Sequence, residues 1–521
     1  MTRFLQRLGP LIFLIALAGC ISHRPSTADV RWPDAQFLPH FPSPAATLDC
    51  IDLAGASGGE VDLFVSLQGI VNRTQPRIAC VHPGGEGKLT WLDLHKLHYE
   101  ETDGYNAVLK YRGEFAGLVV TDPAQPDTLN LATAMAGVNN ELICAPSLLT
   151  KLTNAPYNIP ILDDLRGRFA DKYAVYRFLY CHYWPRCNHR VIAGMSPNAH
   201  GDLRDYLVAL KSAAVWLNPG KPKDAAALKQ FVSEIKPVHG VYMGWWPGES
   251  DGLNWIANYG IPVLASDFFR NATVFSGVTC PIRVPEIPPL PPLENKIYVA
   301  LIISDGDNVQ YMQHGLKEIW NNPVRGSVPM GWTVSPLAVD LDPTMLDFYW
   351  NSATTNDCLV SGPSGAGYTH MDRWNAANLA TFARLSGPYL ERSGLRVITV
   401  WDKVNRSIAR AFATNCPSLL GLTDEHGKYS AVNLGLRTIR LTPAYSSHVD
   451  EMIFHITNAA ASWNGRQPLF IAAQADVWHI GPTGLAKIAA TLDPAKYKIV
   501  RPDHLFLLAN QAGKKQTTPA R

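Results

Sequence analysis

Asp305 and Asp307 stand on either side of one glycine in "ISDGDNVQ", with Asn308 and Gln310 just beyond. Two carboxylates this close can divide the work of acid and base when their surroundings hold one protonated and the other ionised. Their oxygens also suit a hard divalent cation, although the ligand series and terminal Glu of a calcium loop do not follow. A plainer use competes with both: Asp307 or Asn308 can cap a helix running through Gln310 to Trp320. Asp402 in "RVITVWD" and Asp476 in "PLFIAAQAD" each end a later apolar run. They are the candidates for a second carboxyl, and each can equally cap the helix after it.

These residues need a frame that brings strand ends together. After the Pro-rich stretch "CPIRVPEIPPLPPLENK", about eight strand-like runs alternate with helical patterns, and each run ends in a polar or turn residue. That rhythm predicts a β/α barrel-like domain over 296–510, with ligands at the carboxyl ends of its strands. The prolines of 281–295 predict a stiff extended linker. Ahead of it, over 46–280, short apolar runs such as "FAGLVVTD", "GVYMGWW" and "IPVLASD" alternate with helical stretches, which predicts two or three α/β subdomains with parallel sheets. Residues 21–45 read as a tether and 511–521 as a tail. The fold class is therefore α/β throughout.

A second cluster follows the predicted strand "CLVSGP". In "SGPSGAGYTH" the glycines Gly362, Gly365 and Gly367 accept φ > 0 and let a ligand approach the backbone. Tyr368 offers a ring to stack on a sugar and a hydroxyl to bond it, with His370 close behind. A structural turn with a packed tyrosine is the alternative. In "GWWPGESDG", Trp245, Trp246 and Glu249 suit a sugar subsite over the barrel, or a tryptophan pair buried at an interface.

The first twenty residues carry Arg3 and Arg7, an apolar run from Leu11 to Ala18, and then Gly19-Cys20. This is the layout of an export signal, and the run is too short to span a membrane. Its end resembles the lipobox of bacterial lipoproteins, which predicts acylation of Cys20 and a lipid anchor in the cell envelope. Ile21 in place of aspartate points to the outer membrane. A formal net charge of +2 over 521 residues gives no reason to expect a nucleic-acid partner. Among the nine cysteines, only Cys181 and Cys187 are close enough in sequence to suggest a disulfide, and no metal-ligand spacing occurs. Nucleophile elbow, phosphate loop and His-Glu-x-x-His patterns are absent from the sequence.

"SGPSGAGYTH" resembles the motif of the GxGYxYP family, described as glycoside hydrolases. Gly365, Gly367 and Tyr368 match it, whereas His370 and Met371 replace the final tyrosine and proline. "SLQGIVNR", "GWWPGE", "ASDFFRNATVFSG", "SDGDNVQ", "GWTVSP" and "VRPDHLFLL" are also similar to that family, so the likeness runs from about residue 45 to about 510. The resemblance implies N-terminal α/β subdomains, a barrel-like C-terminal domain and action on carbohydrate. The expected chemistry is glycoside hydrolysis by Asp305 or Asp307 with Asp402 or Asp476, needing no cofactor. A metal-dependent glycan deacetylase, with His370 or His479 joining the aspartates around a divalent cation, is one alternative. A glycan-binding lipoprotein without catalysis is the other.

Overall fold

The computed structural model describes residues 30–82, 90–426 and 430–517. The export signal and Cys20 lie outside the described residues.

Three small parallel sheets make up the N-terminal half. β1 (Leu48–Asp52), β2 (Ile78–Val81) and β3 (Tyr99–Thr102) lie in the order β2-β1-β3. β4 (Gly117–Val120), β5 (Glu141–Cys144) and β6 (Ile161–Asp164) lie in the order β5-β4-β6. β7 (Val191–Gly194), β8 (Ala213–Val215), β9 (Val241–Gly244) and β10 (Val263–Leu264) lie in the order β10-β9-β7-β8. The central strands β4, β7 and β9 are short apolar runs buried on both faces, whereas the edge strands β3 and β6 carry charged residues and stay partly exposed. The first helix, Gly58–Asn72, starts at a capping box in which Ser57 and Glu60 satisfy each other's backbone N–H groups.

The helix segment "SLQGIVNR" and the turn "ASDFFRNATVFSG" lock the first and third units together. Gln68 Nε2 donates to Asn271 Oδ1 at 2.7 Å, and Asn72 Nδ2 donates to Thr273 Oγ1 at 3.0 Å. Asn271 also exchanges hydrogen bonds with the backbone of Cys80. These amides are buried, so each partner lost would strand a polar group away from water.

One large sheet forms the C-terminal half. Its strands are β11 (Ile297–Ile303), β12 (Met330–Val334), β13 (Asp357–Ser361), β14 (Val397–Ile398), β15 (Gly421–Asp424), β16 (Ser430–Asn433), β17 (Leu436–Arg440), β18 (Leu469–Ala475) and β19 (Tyr497–Ile499). The order is β16-β17-β15-β14-β13-β12-β11-β18, with β19 also on β11, and only β16 runs antiparallel to its neighbour. The sheet curls far enough for Leu441 and Ser446, just past β17, to bridge Ala472 and Ala475 of β18. Alternation divides β11 between two cores. Val299, Leu301 and Ile303 join the surrounding helices. Tyr298, Ala300 and Ile302 meet Phe470, Ala472 and the C-terminal helix residues Leu505 and Phe506 on the concave side. Ser304 and Gln474 continue that inward parity at the open end.

Two expectations are corrected, and the linker reading gains a detail. The tether reading of 21–45 fails at its end: Phe37, Leu38 and Phe41 are buried, and the Phe37 N–H donates to the Tyr389 hydroxyl at 2.9 Å. An aromatic-rich segment close to two apolar surfaces gains more by docking than by remaining solvated. The proline-rich linker is extended but held, with Arg283 paired to Asp347 at 2.7 Å and the Pro288 carbonyl 3.0 Å from His504 Nε2. Cys181 and Cys187 do not pair; both are free thiols, one exposed and one buried.

Candidate active site

The close approach of β11 to β12 explains the central glycine of "DGD". A Cβ on Gly306 would lie 1.4 Å from the Thr333 carbonyl oxygen, and the Gly306 N–H donates to Thr333 Oγ1 at 2.8 Å. Asp305 takes the left-handed conformation at φ 69°, which an aspartate adopts more readily than a branched residue. Gly362, after β13, leaves room for the second carboxylate, since a Cβ there would meet the Asp307 Cβ at 2.7 Å. Asn308 turns back and caps the helix Val309–Gln313, its Oδ1 accepting from the Tyr311 N–H at 3.0 Å. The capping role therefore falls to the Oδ1 of Asn308 and leaves Asp307 without it.

Asp305 Oδ2 accepts the indole N–H of Trp478, whose ring is 62% exposed and meets Tyr311 edge-on at 5.3 Å. Burial raises the Asp305 carboxyl above its ordinary value; Ser304 and Trp478 oppose the rise, and the charge of Asp476 adds to it. Asp307 accepts no hydrogen bond from another described side chain. Burial pushes its carboxyl well above the ordinary range, and the charges of Asp305 and Glu249 push it further. Glu249 comes from the third N-terminal unit, and its own carboxyl is raised by burial and by Asp305.

Asp476 is the opposite case. Burial pulls it up, but hydrogen bonds from Ser447, His479, Tyr445 and the Trp478 N–H outweigh that and hold it below the usual carboxylate range. Ser447 Oγ and His479 Nδ1 stand 2.7 and 2.6 Å from Asp476 Oδ2. Asp402 is buried and fully engaged: Oδ1 faces His370 Nδ1 at 2.7 Å, and Oδ2 accepts the Met371 N–H at 2.7 Å. Asp402 thus orients His370.

The glycine loop packs against protein. Tyr368 is 7% exposed, and its backbone pairs antiparallel with Val263 of β10, with N–H to carbonyl distances of 2.8 and 2.9 Å. Gly367, at φ 111°, lies where a Cβ would press on Pro262 at 2.9 Å, and Gly365 has the same φ. These glycines lay the motif against the third unit, and the tyrosine is a packed ring, not an open sugar platform. Its hydroxyl still stands among carboxylates: burial raises it most, followed by the charges of Asp307, Glu249, Asp402 and Asp305. Trp246 is also core, stacked on Tyr242 at 4.1 Å, while Trp245 is half-buried beside it.

Trp401 links the concave floor to the rim. Its Nε1 donates to Gln474 Oε1 at 2.9 Å, and its ring meets Tyr368 at 5.8 Å and Tyr445 at 5.5 Å. Sequence reasoning misses Trp401 and Trp478 as site residues. Each lies within two residues of a strand-end aspartate, Asp402 and Asp476, and that proximity is the available signal. His370 and His479 each turn to their own aspartate, and no three His, Cys, Asp or Glu come together as a metal-holding group among the described residues. A cavity of about 220 Å³ between the first and third units is lined by Gln68, His200 and Arg270 and by none of the barrel carboxylates.

Comparison with known proteins gives three family matches. "GxGYxYP putative glycoside hydrolase C-terminal domain" matches residues 295–510, "GxGYxYP_N second domain" matches 115–187, and "GxGYxYP third domain" matches 189–277. A solved structure described as a putative hydrolase from Bacteroides thetaiotaomicron VPI-5482 shares the fold. It has a TM-score of 0.81 and 20% identity, with 92% of this chain and 97% of that chain covered. No curated protein matches.

Proposed function

The chain belongs to the GxGYxYP family, and from that premise we propose that it hydrolyses glycosidic bonds at the open end of the barrel-like domain. The observation that carries the reading is the opposed electrostatics of Asp307 and Asp476. One carboxyl whose surroundings favour the protonated form and another whose surroundings favour the ionised form supply the division of labour that glycoside hydrolysis needs. Asp307 gives its proton to the glycosidic oxygen as the bond to the anomeric carbon breaks. The Asp476 carboxylate stabilises the positive charge that develops there, and either attacks that carbon or takes the proton of an incoming water. Asp305 holds Trp478, and the exposed faces of Trp478 and Tyr445 suit a sugar ring.

Asp402 takes a positioning role in this scheme, holding the His370 ring and the Met371 N–H. The export signal and Cys20 support a lipid-anchored location in the cell envelope, probed by the Cys20 variant below. No described helix is long and apolar enough to cross a membrane.

The test is hydrolysis by the full-length protein, in detergent, of a 4-nitrophenyl glycoside set and a polysaccharide panel. Product release should follow a bell-shaped pH profile. Protonation of Asp476 sets the acid limb and deprotonation of Asp307 sets the basic limb. Absence of product across both sets would refute the proposal.

A further inference from the structure

The two residues that depart from the family motif converge on one carboxylate. His370 stands where the motif has tyrosine, and its Nδ1 lies 2.7 Å from Asp402 Oδ1. Met371 stands where the motif has proline, and its N–H donates to Asp402 Oδ2 at 2.7 Å. Proline has no N–H to give, so the second contact exists only because of the departure. Asp402 is buried, and an ionised carboxylate accepts on both oxygens. The hydrogen of this contact therefore sits on His370 Nδ1, and in the neutral form of the ring Nε2 is an acceptor. Nε2 has no partner among the described residues, and the side chain stays 23% exposed. The ring stands 6.1 Å from that of Tyr368, whose hydroxyl feels the charges of Asp307, Glu249, Asp402 and Asp305.

We propose that His370 is a specificity-determining residue of this chain: its Nε2, aimed by Asp402, accepts a hydrogen bond from a hydroxyl group of the bound sugar. A motif tyrosine both donates and accepts at that place, whereas this imidazole only accepts. The site then selects a free hydroxyl there and rejects a ring that is deoxygenated or O-methylated at that position. A site built around one hydrogen bond discriminates strongly against a partner that lacks it. This inference rests on carbohydrate being the ligand of the barrel mouth, as proposed above.

The experiment is ¹⁵N NMR of the histidine side chains in the full-length protein, with His370 assigned by loss of its signals in H370N. The probes are methyl glucosides, galactosides and mannosides with their monodeoxy and O-methyl counterparts. In the free protein His370 should be the Nδ1–H tautomer, and D402N should lose that preference. At least one methyl glycoside should shift the Nε2 signal, and one of its deoxy or O-methyl counterparts should fail to. H370N keeps a contact to Asp402 but not the acceptor, so it should weaken that glycoside about ten-fold. H370Q places an acceptor near Nε2 and should recover part of the loss. The double variant H370Y/M371P, which restores the motif, should bind the glycoside and its deoxy counterpart to within a few-fold of each other.

An Nε2–H tautomer in the free protein would overturn the proposal. So would a His370 signal unmoved by any glycoside that quenches tryptophan fluorescence; in that case carbohydrate binding stands and only the role of His370 falls. If no glycoside quenches or moves any signal, the ligand class fails and this proposal fails with it. The comparison of deoxy and parent sugars uses the unaltered protein, and H370Q supplies the same assignment should H370N not fold.

Discussion

Replacing Asp307 by asparagine should make the protein slower and more stable at once. The side chain keeps its shape but can no longer deliver a proton, so turnover should fall by roughly 10²–10⁴-fold with KM changed little. The stability gain has a separate origin. Burial, Asp305 and Glu249 all oppose the ionised form of Asp307, so the folded protein holds that proton to higher pH than the unfolded chain does. Stability is therefore complete below the ordinary carboxylate pKa and declines as pH rises from there through the raised value. The Asp307→Asn variant has no such decline. Its advantage should be absent in acid, grow through that window and level off above it. Removing one such repulsion is worth about 1 kcal/mol. In a chain of this size that is a rise of roughly 1–2 °C in Tm. The assay pairs hydrolysis of the responsive glycoside with thermal unfolding across pH. A variant that turns over normally would remove Asp307 from the chemistry. One that is slow but less stable at neutral pH would refute the electrostatic account of the site.

W478A should raise KM about ten-fold with a smaller fall in kcat, because it removes an exposed stacking face and frees the Asp305 carboxylate; an unchanged KM would take the sugar platform elsewhere. G362A places a methyl 2.7 Å from the Asp307 Cβ, so it should displace the acid and lower kcat about 10²-fold, measured beside Tm to separate displacement from unfolding. C20S should leave the protein soluble after a salt wash of membranes, since one lipidated cysteine is the anchor expected; persistent membrane association would reject it.

Much of the frame is legible because strands and helices leave periodic traces. The run "KIYVALIISDGDN" is apolar without alternation, as a strand buried on both faces must be, and it ends in the acidic pair that the structure places at the barrel mouth. Asp476 is legible for the same reason. What the sequence cannot tell is which way side chains near the mouth commit. Tyr368 and Trp246 have the composition of sugar contacts, yet both are packed, because a neighbouring unit or ring reaches them first. Trp478 carries no periodic mark at all; only the fold shows that its indole reaches Asp305. Asn308 and Asp307 are interchangeable as helix caps on paper, and the local turn geometry chooses between them.

The pairing of Tyr368 with Val263 has a consequence for heredity. Recombination joins genes most safely where a boundary crosses few contacts, and the proline-rich stretch looks like such a seam. Yet the tip of the barrel's signature loop completes its backbone hydrogen bonds on a strand encoded more than a hundred residues earlier. A crossover in the seam would supply the barrel with a foreign partner and leave those groups unmatched. The front and back of this gene should therefore be inherited together, with Pro262–Val263 and Gly367–Tyr368 changing in concert rather than singly.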